Sequence, residues 1–228
     1  KFTTENKGGK KIPVGEIYGL NVATLSDQII MIDKDFKNHF ENNYFHKFLM
    51  DSMEYSIRTY DENFRPENFI SGFVLYQKYS RKDVFRILNW DQNPVAQNVG
   101  GYIVSQDKSN CPIFVNYDKA DDISSSTKYE DGFVNSHEFR WMSKSRRTLE
   151  SPDVRSIRNG DIRLPLFIKK SNDEGLEFYF MGDVKPIDSS FRETKMATDD
   201  GRGVSVVEVV FKMKSPVDSE IYKYITDG

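Results

Sequence analysis

Aromatic, hydroxyl and cationic side chains follow one another closely in the segment Phe139–Thr148. If the segment begins as a β-strand, Phe139 and Trp141 lie on one face, because strand side chains alternate between faces. Aromatic rings stack on bases, and Arg, Lys and Ser side chains contact phosphates, so the segment is typical of a nucleotide-binding surface. A half-buried strand that ends in a solvated basic loop is the alternative. Six polar residues lie within or directly after the strand: Arg140, Ser143, Lys144, Ser145, Arg146 and Arg147.

The charge distribution places this segment in the most basic part of the chain. The formal net charge of the 228 residues is −3, which is unusual for a protein that binds nucleic acid indiscriminately. Residues 136–170 nevertheless contain nine Lys and Arg against four Asp and Glu, whereas residues 171–228 contain seven against twelve. One basic band within an acidic protein favours a localised contact.

A second group of candidates follows a predicted strand that ends at Tyr117. Asp118 comes next, and a carboxylate accepts a hydrogen bond from the exocyclic amine of cytosine. Binding residues commonly lie at strand ends and in the loops after them. A solvated loop and a metal site are the alternatives, although the spacing matches no metal-binding loop. The other acidic residues of this group surround Ser124–Ser126 and are Asp121, Asp122, Glu130 and Asp131.

Signatures of catalysis are scarce in this sequence. Asp188 followed by Glu193-Thr194-Lys195 resembles the acid and E-x-K pattern that holds Mg²⁺ in many nucleases, but only four residues separate the acid from Glu193. The three histidines are scattered, and Cys111 is the only cysteine, which excludes an internal disulfide and a cysteine-based zinc site. We therefore expect no catalytic site and no cofactor in this chain.

Composition and local pattern predict an α+β protein in two parts. The 17 Phe and 12 Tyr residues argue for a packed core, and no apolar run approaches the length of about 18 residues that spans a membrane. We expect a cytoplasmic protein, and the start at Lys1 without a leader suggests a piece of a longer chain.

Residues 1–75 are predicted to form a helical connector. Its first twelve residues are typical of a flexible lead-in, and the spacing of Phe40, Tyr44 and Phe48 predicts a helix from Ser26 to about Tyr60.

Residues 76–228 predict a domain with a mostly antiparallel, barrel-like sheet. Ser80 and Asp83 predict a capped helix that ends near Trp90, and Ser151-Pro152-Asp153 predicts a second short helix. Strands are predicted at Gly101–Val104, Cys111–Tyr117, Phe139–Met142, Leu164–Ile168, Leu176–Met181 and Val204–Met213.

Residues 77–184 resemble a known family. The similarity is to the C-terminal domain that follows a phospholipase-D-like nuclease and a superfamily 2 helicase in SauUSI-like type IV, methylation-dependent restriction endonucleases. The motifs that carry it occur in order: Tyr79-Ser80-Arg81-Lys82-Asp83-Val84, Leu88-Asn89-Trp90, Cys111-Pro112-Ile113-Phe114-Val115, Thr127-Lys128-Tyr129-Glu130-Asp131, Phe139-x-Trp141-x-Ser143-x-Ser145-Arg146 and Phe178-Tyr179-Phe180-x-Gly182.

The resemblance implies an SRA/PUA-like target-recognition domain without catalytic activity. It would bind 5-methylcytosine or 5-hydroxymethylcytosine in duplex DNA by base flipping, and residues 1–75 would join it to the helicase and nuclease domains of a parent that uses ATP and Mg²⁺. No pocket position is carried over from that family, and the candidates follow from residue chemistry alone. The candidate DNA-backbone contacts are Lys144, Ser145, Arg146, Arg147 and Arg140. The candidate base pocket contains Tyr117, Asp118, Trp141, Ser143, Trp90 and Tyr102. A Mg²⁺-dependent nuclease and a protein-interaction module remain the alternatives.

Overall fold

A computed structural model describes residues 4–7, 10–13, 22–26, 29–63, 68–90, 94–95, 99–118, 131–196 and 203–227. The chain divides into two compact units. The first contains Lys1–Phe69 and Asp91–Asn93, and the second contains Ile70–Trp90 and Pro94–Gly228.

The first unit combines two strand pairs with a helical segment. Strands β1 (Thr4–Lys7) and β2 (Lys10–Pro13) pair antiparallel, as do β3 (Ala23–Ser26) and β4 (Ile29–Ile32). Helix α1 (Lys34–Asn38) leads through the 3₁₀ turn His39–Glu41 to the long helix α2 (Asn43–Asn63).

Two predictions for this unit were therefore wrong. The first twelve residues include strands, and the helical segment begins at Lys34 instead of Ser26. The run Ile29–Ile32 is rich in β-branched side chains, which favour a strand. Asp33 then starts α1, because its carboxylate accepts a hydrogen bond from the backbone N–H of Asp35.

The second unit is built around one eight-stranded sheet. Its central path runs β8-β11-β12-β14-β10-β9, with β7 beside β12 and β13 beside β14. All pairs are antiparallel except β8 with β11. The strands from residue 69 onward are β5 (Phe69–Ile70), β6 (Phe73–Val74), β7 (Lys78–Ser80), β8 (Ile113–Asn116), β9 (Gly132–Asn135), β10 (Glu138–Met142), β11 (Leu164–Lys169), β12 (Glu177–Pro186), β13 (Arg192–Met196) and β14 (Val204–Met213).

The sheet is not closed by strand pairing within the described residues. Strands β8 and β9 form its two ends. Side chains connect these ends, because the ring of Tyr117 lies 6.0 Å from the ring of Phe133 in β9. The structure thus confirms a helix-and-strand domain with a mostly antiparallel sheet, but shows no closed barrel among the described strands.

The described part of the second unit also contains three short α-helices: α3 (Arg81–Ile87), α4 (Pro152–Arg158) and α5 (Ser219–Thr226). The predicted cap of α3 is confirmed, since Ser80 Oγ accepts a hydrogen bond from the backbone N–H of Asp83. Pro152 begins α4, as predicted. The strand predicted at Gly101–Val104 is wrong, because only a single bridge joins Tyr102 to Ile113.

The core fixes the position of the loop after β10. Phe139, Trp141 and Phe211 are buried in one apolar cluster, and a second cluster contains Phe73, Phe167 and other phenylalanines. Burying a large apolar side chain stabilises the folded state by about 1.5–3 kcal/mol. Strands β10 and β14 are therefore a rigid base for the residues that follow β10. No helix in the described part of the chain is long and apolar enough to cross a membrane.

Candidate functional site

The loop after β10 is fixed at its start by Ser143. This residue is fully buried, its backbone N–H donates to the carbonyl of Val207 over 2.8 Å, and its Oγ accepts from the N–H of Val207 over 2.8 Å. Four residues later the N–H of Arg147 donates to the carbonyl of Ser205 over 3.2 Å. The loop is therefore held along β14, and Ser143 is a structural residue in this conformation.

Asp153, at the start of α4, connects this loop to Tyr102. Its Oδ2 accepts a hydrogen bond from the hydroxyl of Tyr102 and another from Nε of Arg147, each over 2.7 Å. Its Oδ1 accepts the backbone N–H of Val154 over 3.1 Å. Burial opposes ionisation of Asp153, but the bonds from Arg147 and Tyr102 outweigh burial and lower the pKa of the carboxyl.

The same contacts keep Arg147 charged and Tyr102 protonated. The hydrogen bond to Asp153 raises the pKa of Arg147. Burial, with the Asp153 carboxylate beside it, raises the pKa of Tyr102. The three side chains form a half-buried ionic cluster whose charge state is constant near neutral pH.

Lys144 adds a second cation to this cluster. Its ammonium lies 4.8 Å from the ring centre of Tyr102, a cation–π distance. Burial and the nearby Arg147 lower the pKa of Lys144. The cluster therefore has two cations, Lys144 and Arg147, for one carboxylate, and it attracts anions.

These residues line an open pocket of about 530 Å³. Such a volume lies within the range of about 300–1,000 Å³ that is common for small-ligand sites. Ser151 completes the polar wall, and Ile103, Val104 and Pro152 form the apolar wall. A second pocket of about 310 Å³ also includes Pro152 and is lined by Lys108 and Arg155 among others.

The predicted backbone contacts lie in different surroundings. Lys144 and Arg147 line the larger pocket. Arg146 is exposed, with a left-handed backbone (φ 62°), and Ser145 beside it is half-buried. Arg140 is also exposed and lies 3.9 Å from a carboxylate oxygen of Glu208. The structure thus brings two of the five predicted backbone residues together in one pocket.

The predicted stacking rings are packed inside the domain. Trp141 is 3% exposed, and its ring lies 4.9 Å from the ring of Tyr102 and 5.3 Å from that of Phe211. It points to the buried face of β10 together with Phe139, so it offers no free face to a base in this conformation. Tyr102 is 2% exposed and reaches the pocket only at its wall. Trp90 is anchored by a 2.7 Å bond from Nε1 to Asn110 and packs on Phe85.

Tyr117 and Asp118 do not line either pocket. Tyr117 is half-buried against Phe133, and burial raises its pKa. Asp118 is exposed, and its N–H donates to the carbonyl of Lys170 over 2.7 Å. The other predicted acidic residues between them and β9, Asp121, Asp122 and Glu130, lie outside the described residues. Asp131 accepts the N–H of Met142 over 2.8 Å.

One residue of the nuclease-like pattern, Glu193, forms a hydrogen bond to the backbone of another segment. Glu193 lies on β13, and its Oε1 accepts the backbone N–H of Leu149 over 2.7 Å. Within the described ranges, no group of three or more His, Cys, Asp or Glu side chains could hold a metal ion.

Sequence reasoning missed Asp153 as a site residue. The Ser151-Pro152-Asp153 signal predicted the start of a helix, and α4 does start there. Its partner Tyr102 is 51 residues away in the sequence, and no local pattern relates the two.

Together these features define an α+β domain with a half-buried ionic pocket beside a basic loop. The chain belongs to the family described as domain of unknown function DUF3427, which matches residues 73–225.

Three solved structures are similar to this chain. The sulfur binding domain and SRA domain of ScoMcrA, complexed with phosphorothioated DNA, is 11% identical with a TM-score of 0.41, over 68% of this chain and 45% of that one. KRYPTONITE in complex with mCHG DNA and SAH is 12% identical with a TM-score of 0.40, over 66% and 35%. The type IV phosphorothioation-dependent restriction endonuclease ScoMcrA is 11% identical with a TM-score of 0.40, over 68% and 32%. This chain thus spans less than half of each of them, and no curated protein matches it significantly.

Proposed function

We propose that this chain is a non-catalytic module that binds duplex DNA containing a modified cytosine, either 5-methylcytosine or 5-hydroxymethylcytosine. The observation that carries the proposal is the pair of cations, Lys144 and Arg147, in the wall of a pocket of about 530 Å³. Five of the eight residues that line this pocket belong to the basic band 136–170. Duplex DNA presents regular rows of negatively charged phosphates, which attract such a band electrostatically.

The geometry of Arg147 favours contact with a phosphate. The hydrogen bond to Asp153 involves Nε of the guanidinium, and the two terminal NH2 groups of Arg147 carry four further N–H donors. Because the Asp153 bond also fixes the direction of the guanidinium, less side-chain entropy is lost on binding. Lys144 adds a point charge next to it. Charge-assisted bonds of this kind position a protein on DNA without reading its sequence.

The pocket itself is suited to a base that has left the stack. Extruding a base costs a few kcal/mol, which contacts inside the pocket must offset. Among the described residues, Oδ1 of Asp153 accepts only the N–H of Val154, which leaves acceptor capacity for the exocyclic amine of cytosine. Ile103, Val104 and Pro152 provide apolar surface for the 5-substituent. A buried methyl group adds about 0.8 kcal/mol, which is a preference of roughly fourfold.

The proposal extends to the protein from which the domain comes. By its resemblance to the SauUSI-like C-terminal domain, we propose a cytoplasmic restriction endonuclease as the parent. In that parent, this domain would select modified DNA for helicase and nuclease domains of the same chain, which would use ATP and Mg²⁺.

Binding to matched duplexes tests the proposal. The chain is titrated into duplexes of one sequence that carry cytosine, 5-methylcytosine or 5-hydroxymethylcytosine at one position, and fluorescence anisotropy gives each affinity. We expect tighter binding to a modified duplex. A 2-aminopurine beside the target base should brighten on binding, because flipping unstacks its neighbour. Equal affinity for all three duplexes would contradict the proposal.

A further inference from the structure

Two cations outside the pocket have no carboxylate partner among the residues that the structure describes. Arg81, the first residue of α3, and Lys169, the last residue of β11, form no ion pair within the described part of the chain. Nε of Arg81 is buried and has no hydrogen-bond partner there. Lys169 is 6% exposed, and its ammonium donates a hydrogen bond to the carbonyl of Gly175 over 2.9 Å. Uncompensated charge next to apolar side chains is costly, so its retention calls for a reason.

One aromatic ring brings these two cations near each other. The guanidinium carbon of Arg81 lies 4.8 Å from the ring centre of Phe178, and the ammonium of Lys169 lies 5.1 Å from the same centre. Burial lowers the pKa of Arg81. Burial, and in addition the charge of Arg81, lowers the pKa of Lys169. Two like charges are therefore held close enough to repel each other.

The carboxylate of Glu174, which acts on the charge of Lys169, already has other hydrogen-bond partners. Glu174 favours the charged form of Lys169 but does not bond to it. Its Oε1 accepts from Nζ of Lys78 over 3.2 Å and from the hydroxyl of Tyr224 over 2.6 Å, and its Oε2 accepts the N–H of Lys170 over 2.6 Å. Within the described residues, no carboxylate therefore forms an ion pair with Arg81 or Lys169.

A narrow backbone turn connects Arg81 to the pocket. Nη2 of Arg81 reaches the carbonyl of Gly100 over a long 3.5 Å. Lys144 lies against the same glycine, since a Cβ on Gly100 would be only 3.2 Å from Cε of Lys144. Gly100 also has φ +62°, which L side chains rarely adopt. A glycine here keeps the turn thin and allows Arg81 and Lys144 to flank it closely.

We propose that Arg81 and Lys169 form an anion site for a phosphate of the DNA backbone, which continues the cationic surface of Lys144 and Arg147 across Gly100. This inference rests on the proposed DNA-binding function. It adds a contact to the DNA backbone that does not depend on the identity of the base. The alternative is that the two cations only cover the ring of Phe178.

Single substitutions that keep the aliphatic stem but remove the charge test the site. In Arg81→Gln and Lys169→Met the stem over Phe178 remains while the charge is lost. Each neutralised phosphate contact contributes about 0.9 to the slope of log affinity against log salt. We expect each variant to flatten this slope by about 0.9. Each variant should also lower the affinity for modified and unmodified duplexes by the same factor. Lys185→Met is the matched control, because Lys185 is exposed on the same strand as Phe178, roughly 23 Å along it.

A second arm separates this inference from the proposed function. Inorganic phosphate should raise the thermal midpoint of the wild type and of Lys185→Met more than that of Arg81→Gln or Lys169→Met. Such a difference supports the anion site even if the chain shows no preference for modified DNA. If both variants keep the wild-type salt slope and the full response to phosphate, the anion site is refuted. If, in that case, their thermal midpoints are nevertheless lower, Arg81 and Lys169 only pack on the ring of Phe178.

Discussion

The hydroxyl of Tyr102 donates a hydrogen bond to Oδ2 of Asp153 over 2.7 Å, across 51 residues of sequence. The same oxygen holds Nε of Arg147 at 2.7 Å. One carboxylate thus satisfies a buried phenol and orients a cation in the wall of the pocket. Stability and ligand binding are therefore coupled at Asp153.

Removing this carboxylate should destabilise the domain. In Asp153→Ala the nearly buried hydroxyl of Tyr102 loses its acceptor, and an unsatisfied buried polar group costs about 1–3 kcal/mol. Tyr102→Phe removes the donor as well as the bond, so we expect a smaller loss of about 1 kcal/mol. Urea denaturation measures the unfolding free energy of both variants. Equal stability of Asp153→Ala and wild type would show that the bond contributes nothing.

The contribution of Asp153 should depend on pH in a defined direction. Its pKa is lower in the folded protein than the ordinary value of 3.8, because the bonds from Arg147 and Tyr102 outweigh burial. The unfolded chain therefore binds the proton more tightly, and the stabilisation is present above the unfolded pKa. It is lost as pH falls through the lower, folded pKa.

Denaturation of wild type and Asp153→Asn at several pH values measures this. The difference in unfolding free energy should be constant from pH 7 to about 5 and should shrink below about pH 4. A difference that grows on acidification would have the wrong sign for a carboxyl with a lowered pKa.

Trp141 should behave as a core residue. Trp141→Ala removes a ring packed against Tyr102 and Phe211, and such truncations cost about 3–5 kcal/mol. Trp141→Phe keeps an aromatic ring and should retain both the fold and any preference for modified DNA. If Trp141→Phe folds with wild-type stability but loses the preference, the ring contacts the base in the complex, as the sequence pattern predicted.

Local features of the fold were predictable because they depend on neighbouring residues. Ser80 and Asp83 are three residues apart, and their cap forms as expected. The apolar run Val204–Met213 forms one long strand. The alternation of Phe139 and Trp141 correctly predicted a shared face, but the pattern does not tell whether that face meets the core or a ligand.

Contacts between distant segments were not predictable from these patterns. The Asp153 cluster requires β10, α4 and the segment around Tyr102 to meet, which depends on the packing of the sheet. The aromatic spacing of α2 predicts a helix but does not show where it begins, so it does not reveal the strand Ile29–Ile32.

Arg146 offers the clearest test of a phosphate contact in the basic loop. Its side chain is exposed, and its φ of 62° is one that glycine adopts without strain. Arg146→Gly therefore removes the cation without the backbone penalty of about 1–2 kcal/mol that an L residue meets in this region. We expect unchanged or slightly higher stability by urea denaturation.

For DNA, the same variant should bind modified and unmodified duplexes more weakly by one common factor, and its salt slope should flatten by about 0.9. Lys214→Gln removes a charge from another exposed position and serves as the control. Unequal weakening of the two duplexes would mean that Arg146 reads the base or enters the gap left by it. An unchanged affinity would mean that this segment is a solvated basic loop, the alternative that its sequence also allows. The DNA contact would then be restricted to cations that the fold holds in place, such as Arg147 in its ion pair with Asp153.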